Sequence, residues 1–167
     1  RPLLYMVSHM AIMPLIDLYA TACDWWPAGY ALHEGFGLTL GAFLLLSLVN
    51  GTAIEIARKC WAPEQEREGV ETYSRLWKPG PAGVAVMGVV LVGLTLSAFI
   101  NVRSDAGIWF LGALLLISAW AAWCAIDYAG TPTPRTAKAI ETASGVFVLC
   151  NYLLLGVLPL VASLWPS

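Results

Sequence analysis

Five long apolar runs, at about 3–23, 37–57, 81–101, 107–127 and 138–164, constrain this 167-residue chain more than any other feature. Each approximates the 20 or so residues that carry a helix across a hydrocarbon layer about 30 Å thick. The runs are separated by helix-ending or interfacial chemistry: Trp25-Trp26-Pro27, Arg58-Lys59, Pro79-Gly80-Pro81, Arg103-Ser104-Asp105, and Thr131 to Pro134. Stretches such as Val84 to Leu96 and Ile108 to Ala122 carry no charge. The strands of a membrane barrel would alternate in polarity over about ten residues, so a barrel is excluded. The expected fold is all-α, a polytopic bundle of five transmembrane helices. With no internal repeat and no low-complexity linker, residues 1–167 read as a single unit.

Composition agrees. Hydrophobic residues make up 59% of the chain and charged residues 12%, where a soluble domain carries about a quarter charged. Lipid is therefore the principal solvent and membrane lipids the first expected partners. Nine basic and eleven acidic residues give a net charge of −2, which excludes a surface built to bind nucleic acid. Cys23, Cys60, Cys124 and Cys150 are widely spaced, without CxxC or a His at ligand spacing, and are expected as free thiols.

Basic residues are retained on the cytoplasmic side of a membrane. If the connections alternate sides, Arg1, Arg58, Lys59, Arg67, Arg75, Lys78, Arg135 and Lys138 share one side and Arg103 stands alone on the other. That pattern predicts an inward amino end, inward connections at 58–80 and 128–137, and an outward carboxyl end; the expected location is a bacterial cytoplasmic membrane. Trp25, Trp26 and Trp165 would mark the outer interface, Trp61 and Trp77 the inner one. The chain starts at Arg1 with no signal-peptide pattern before its first run, and is expected to be processed or part of a longer polypeptide.

Chemistry concentrates between Asn50 and Arg75. Near the inner end of the second run, Asn50 and Glu55 are polar groups that must snorkel, pair or line a polar cavity. Glu55 precedes Arg58 and Lys59 by three and four residues, the spacing of helical ion pairs, and Asn50 can bond a neighbouring helix. The loop that follows mixes Glu64, Glu66, Glu68 and Glu71 with Lys59, Arg67 and Arg75. Such a loop is either a solvated surface or a site where carboxylate oxygens gather Mg²⁺ and basic groups hold phosphate oxygens.

At these residues the chain resembles the UbiA-type intramembrane prenyltransferases. In the chlorophyll-synthase and homogentisate branches their second acidic motif runs approximately Glu-Gly-Asp-Arg, two residues, Gly, an aliphatic residue, a polar residue, then Ser or Thr. Here Glu64-Gln65-Glu66-Arg67 is followed after one residue by Gly69-Val70-Glu71-Thr72. Glu66 takes the Asp position, Arg67 the Arg position, and Glu55 falls near an acidic position at the preceding helix end. Glu replaces Asp, one residue is missing before the Gly, and no Asp-x-x-x-Asp is present. Two runs precede the motif and three follow it, as in the carboxyl-terminal five of the family's nine helices.

The resemblance implies transfer of a prenyl group from a Mg²⁺-bound prenyl diphosphate to an aromatic or lipid acceptor. Glu55, Glu64 and Glu66 would contact the metal, and Asn50, Lys59 and Arg67 the diphosphate. It also implies an amino-terminal half, with four further helices and an Asp-rich loop, or other membrane subunits in its place. Two alternatives stand beside it: a non-catalytic subunit of a membrane complex, and a small transporter with His9, Asp17, Asn50 and Glu55 along a polar path.

The remaining polar residues carry structural expectations. His9 and Asp17 lie about 80° apart around a helix axis and can share a face, with Pro14 bending the helix between them. Asp127, Tyr128, Asn151 and Tyr152 suit interhelical hydrogen bonds and interfacial anchoring. Gly83, Gly88, Gly93 and Ser97 suggest one seam of close helix packing. Thr133-Pro134 reads as a helix cap and first position.

Overall fold

Residues 2–29, 37–104 and 107–157 are described by a computed structural model. The first apolar run forms two helices, α1 (Pro2–Met10) and α2 (Ile12–Trp25), interrupted at Ala11. Pro14 explains the interruption. It has no N–H for the carbonyl of Met10, four residues back, and its ring crowds that carbonyl.

The next helix, α3 (Leu38–Arg58), leads into a loop with a single turn at Pro63–Gln65 and a short helix α4 (Tyr73–Trp77). Helices α5 (Pro79–Arg103), α6 (Ile108–Gly130) and α7 (Pro134–Tyr152) follow, and α7 runs on through a wider turn over Leu153–Val157. The five expected spans are thus present, and the described residues contain no strand. Trp165 lies outside the described residues.

Local chemistry sets the boundaries. Thr133 Oγ1 accepts the Thr136 N–H at 3.2 Å while Thr136 Oγ1 accepts the Thr133 N–H at 2.9 Å, a reciprocal cap that starts α7 at Pro134. Between α4 and α5, Lys78 has φ 72° and ψ 155°, a region nearly reserved for glycine that costs a side-chain-bearing residue about 1–3 kcal/mol. Pro79 contributes to that geometry, because the residue before a proline is driven from the α region.

Helix α5 packs on α3 and α6, and α7 packs on α3 and α6. The core is built from Leu46, Ala53 and Ile56 of α3, Val86 and Val90 of α5, Ala121 and Ala125 of α6, and Ile140 and Phe147 of α7. Small residues permit this closeness, though not as one seam. A Cβ on Gly83 would lie 2.7 Å from the Ala125 carbonyl oxygen on α6, and one on Gly93 would lie 2.9 Å from Phe147 on α7. Gly88 is exposed and faces open space. The inward face of α5 follows Gly83, Val86, Val90, Gly93 and Ser97, which is helical spacing, and Gly88 falls on the opposite side.

The contacts gather the loop and helix ends that carry the described basic residues other than Arg103; Arg1 lies outside the described residues. Tyr128 Oη at the end of α6 donates to the Trp61 carbonyl at 2.8 Å, and Lys59 Nζ lies 6.0 Å from the ring of Tyr5 in α1. The start of α1, the loop after α3 and the α6–α7 connection therefore share one end of the bundle, and Arg103 closes α5 at the other.

Candidate functional site

The stretch 59–78 folds back on the helix ends. Its anchor is Ser74, 4% exposed, whose Oγ accepts the Trp61 N–H at 2.9 Å and donates to Glu66 Oε1 at 2.6 Å. Thr72 Oγ1 donates to the same carboxylate at 2.7 Å and accepts the Arg75 N–H at 3.2 Å, which caps α4. The Tyr73 N–H donates to the Lys59 carbonyl at 3.0 Å. Cys60, Ala62 and Tyr73 are buried beneath this layer. Burial pushes the Cys60 thiol up to about 12, against a smaller opposing effect of its hydrogen bond with Tyr128. Burial also raises the Tyr73 hydroxyl, with the Glu55 charge adding to it.

Glu55 is 5% exposed. Its Oε2 accepts from Arg58 at 3.1 Å and its Oε1 from Lys59 at 2.7 Å. The helical ion-pair expectation is thus realised, and both carboxylate oxygens are occupied by cations of the same helix end. Asn50 is also placed by its structural reading. About one and a half turns further into the bundle, Asn50 Oδ1 accepts from Asn151 Nδ2 of α7 at 3.4 Å. Asn151 Oδ1 in turn accepts a short hydrogen bond from Ser97 of α5, and Ser47 is 3.0 Å from Tyr152 Oη. These groups form a polar layer across α3, α5 and α7 rather than part of the loop.

The loop separates two clefts. The first, of about 410 Å³, is lined by Arg58, Glu64, Glu66 and Arg67, and by Lys138 and Glu141 of α7. Of the six residues assigned to metal or diphosphate, Glu64, Glu66 and Arg67 meet here. Lys59 opens on the second cleft, while Asn50 and Glu55 line neither. Arg58, Lys138 and Glu141 were not singled out for the site, and a helix 70 residues downstream gives no local signal that it will join this loop. Thr72 and Ser74 were also missed as holders of Glu66; Thr72 fills the Ser or Thr position that ends the motif, and Ser74 has no sequence signal beyond its place after Tyr73.

The donor chemistry of the first cleft fits a Mg²⁺ ion bound with phosphate, since such an ion takes one or two carboxylates and fills its remaining positions with phosphate and water. Glu64 is exposed and forms no ion pair or side-chain hydrogen bond among the described residues, nor does the Arg67 guanidinium. Glu66 offers oxygens already held by two hydroxyls. Glu55 does not fit, because a metal there would have to displace two ammonium or guanidinium partners. No group of three or more His, Cys, Asp or Glu side chains converges among the described residues.

The polar positions of the transporter reading fall into separate environments. His9 stacks on Tyr5 at 5.7 Å between ring centroids, and Asp17 is half-buried with Oδ2 unpartnered among the described residues. Asn50 belongs to the interhelical layer and Glu55 to its ion pairs. No protein-family model, curated sequence or solved structure matches this chain.

Proposed function

We propose that this chain is the membrane-embedded, carboxyl-terminal part of a Mg²⁺-dependent prenyltransferase of the UbiA type, with the first cleft receiving the diphosphate of a prenyl donor. The observation that carries this reading is the meeting of Glu64, Glu66 and Arg67, the residues of the acidic motif, with Arg58 and Lys138 at one end of an apolar bundle. A bound Mg²⁺ would neutralise charge on the leaving diphosphate. Glu64 and Glu66 would hold it, and Arg67 would donate to phosphate oxygens. Arg58 and Lys138 share their charge with Glu55 and Glu141 and add a longer-range field. The apolar helices would hold the prenyl chain and keep water from the allylic carbon as its C–O bond breaks.

The placement is a bacterial cytoplasmic membrane, with the loop end inside. Support comes from the basic residues gathered at that end and the lone Arg103 at the other. A second reading, a non-catalytic subunit, is favoured by one specific observation: Ser74 and Thr72 engage Glu66 as a structural tie.

Diphosphate release from a prenyl diphosphate, measured with Mg²⁺ on protein expressed from the complete reading frame, separates the two. Glu64→Ala removes a carboxylate with no structural partner and is expected to lower turnover about 10²–10³-fold, the usual worth of one electrostatic contact to developing charge. Glu68→Ala, exposed and away from the cleft, serves as the control. Equal effects at the two positions, or no release by the unaltered protein, would leave the subunit reading.

A further inference from the structure

The second cleft lies across the loop from the first, has a volume of about 630 Å³, and has no part in the proposed diphosphate chemistry. Its wall brings Lys59 and Arg75 together with one carboxylate, Glu71. Lys59 is held firmly: its ammonium is 2.7 Å from Glu55 and faces the rings of Tyr5 at 6.0 Å and Tyr73 at 5.6 Å. One of its three N–H donors serves Glu55, so others remain for a ligand. Arg75 spends one guanidinium nitrogen on the Arg67 carbonyl at 3.0 Å and retains further donors.

Beside these cations the cleft exposes apolar surface. Tyr5 is 61% exposed, Leu76 51% and Val70 37%. An inorganic anion has no use for such surface. A molecule that joins a phosphate to hydrocarbon does, and the cleft sits where α3 ends and α1 begins, at the height where headgroups lie. Basic pockets at helix ends are suited to anionic headgroups.

The geometry points to a binding site for the headgroup of an anionic phospholipid, with its phosphate against Lys59 and Arg75 and its first acyl carbons along Tyr5, Val70 and Leu76. The site is independent of the prenyl-diphosphate reading, because it uses the opposite wall of the loop. Its ligand chemistry, a phosphate group, is shared with free phosphate, and the apolar wall selects the lipid.

The test is retention of lipid by the intact protein in nanodiscs that contain phosphatidylcholine with or without phosphatidylglycerol, read by native mass spectrometry. Phosphatidylglycerol should be retained in preference to phosphatidylcholine. Arg75→Gln should lower that preference about fivefold, the equivalent of the ~1 kcal/mol a basic side chain gains near an anionic leaflet. Lys59→Gln should do the same and Lys59→Arg should restore it. Because Arg75→Gln leaves the Glu55 ion pairs intact, it guards against a folding defect at Lys59. Arg103→Gln, at the other end of the bundle, should have no effect. Equal retention of both lipids, insensitivity to Arg75→Gln, or displacement of the lipid by millimolar inorganic phosphate would overturn the proposal, the last by identifying a soluble-anion site.

Discussion

The loop 59–78 and the polar layer of α3, α5 and α7 both bury hydrogen-bonding groups, yet they leave different chemistry behind. In the layer, Ser97, Asn151 and Asn50 bond to one another across three helices, and Ser97 and Asn151 also bond carbonyls of their own helices. In the loop, internal bonds settle Ser74, Thr72 and Glu66 but leave Glu64 and the Arg67 guanidinium open to a cleft. Water and headgroups can satisfy an open charge at the bundle end, whereas hydrocarbon cannot. Polar groups in mid-membrane therefore turn to helix-to-helix bonds, and charges available to a ligand gather at the interface.

The widest expected difference is in thiol chemistry. Cys60 lies 2% exposed under the loop with its thiol pushed up to about 12; a raised value keeps the unreactive neutral form at neutral pH. At pH 8 it should react with a maleimide about 10³-fold more slowly than a cysteine introduced at exposed position 68 by Glu68→Cys. Comparable rates would mean that the loop opens freely. In a Cys23→Ser background, which removes the exposed native thiol at the outer interface, the same Glu68→Cys variant reports sidedness: labelling by an impermeant reagent from outside intact cells would invert the proposed orientation. Cys60 cannot serve that purpose, because its burial blocks it on either side.

Next in size is the polar layer. Asn151→Leu keeps much of the volume but leaves Asn50 without its partner and Ser97 with only its bond to the Gly93 carbonyl, and is expected to cost about 2 kcal/mol in reversible unfolding from mixed micelles. Asn50→Leu should cost distinctly less: its bond to Asn151 is long, and its Nδ2 has no partner within the described residues. Equal losses would show that the layer works as one unit. A smaller effect is expected at the loop anchor. Tyr128→Phe forfeits the bond to the Trp61 carbonyl, worth about 1 kcal/mol, and should quicken Cys60 labelling, whereas Asn151→Leu should quicken it only through global unfolding. The smallest change has the opposite sign. Lys78→Gly relieves a side chain from a glycine-like backbone conformation and should stabilise the protein by about 0.5–1 kcal/mol, net of the added freedom of the unfolded chain.

The spans were legible because a helix crossing lipid announces itself by length and polarity alone. Pro14 likewise foretold a defect in the first span, and Thr133-Pro134 marked the start of α7. Which face of α5 turns inward was not legible from its glycines. Gly83, Gly88 and Gly93 are alike in sequence, but at 100° per residue the five-residue step from Gly83 to Gly88 moves about 140° around the axis. The pairing of Asn50 with Asn151 lies between residues 101 apart in the chain, and no local rule joins them.

Within the candidate site, Glu64, Glu66 and Arg67 could be grouped because they are neighbours in the chain. Lys138 and Glu141 could not, since they arrive by the return of α7. Glu55 illustrates an ambiguity of helical spacing. The same acid beside the same bases suits a metal site or an ion pair, and only the positions of Arg58 and Lys59 on both its oxygens decide for the pair.

The contact of Gly83 with Ala125 and Ala129 has a bearing on how the protein enters the bilayer. Helices α5 and α6 are joined by only the four residues between Arg103 and Ile108, so little chain entropy is lost in bringing them side by side. Their backbones meet too closely at Gly83 for an acyl chain to pass between them. The two can settle as a hairpin soon after both have left the ribosome, giving α3 and α7 a finished surface on which to assemble.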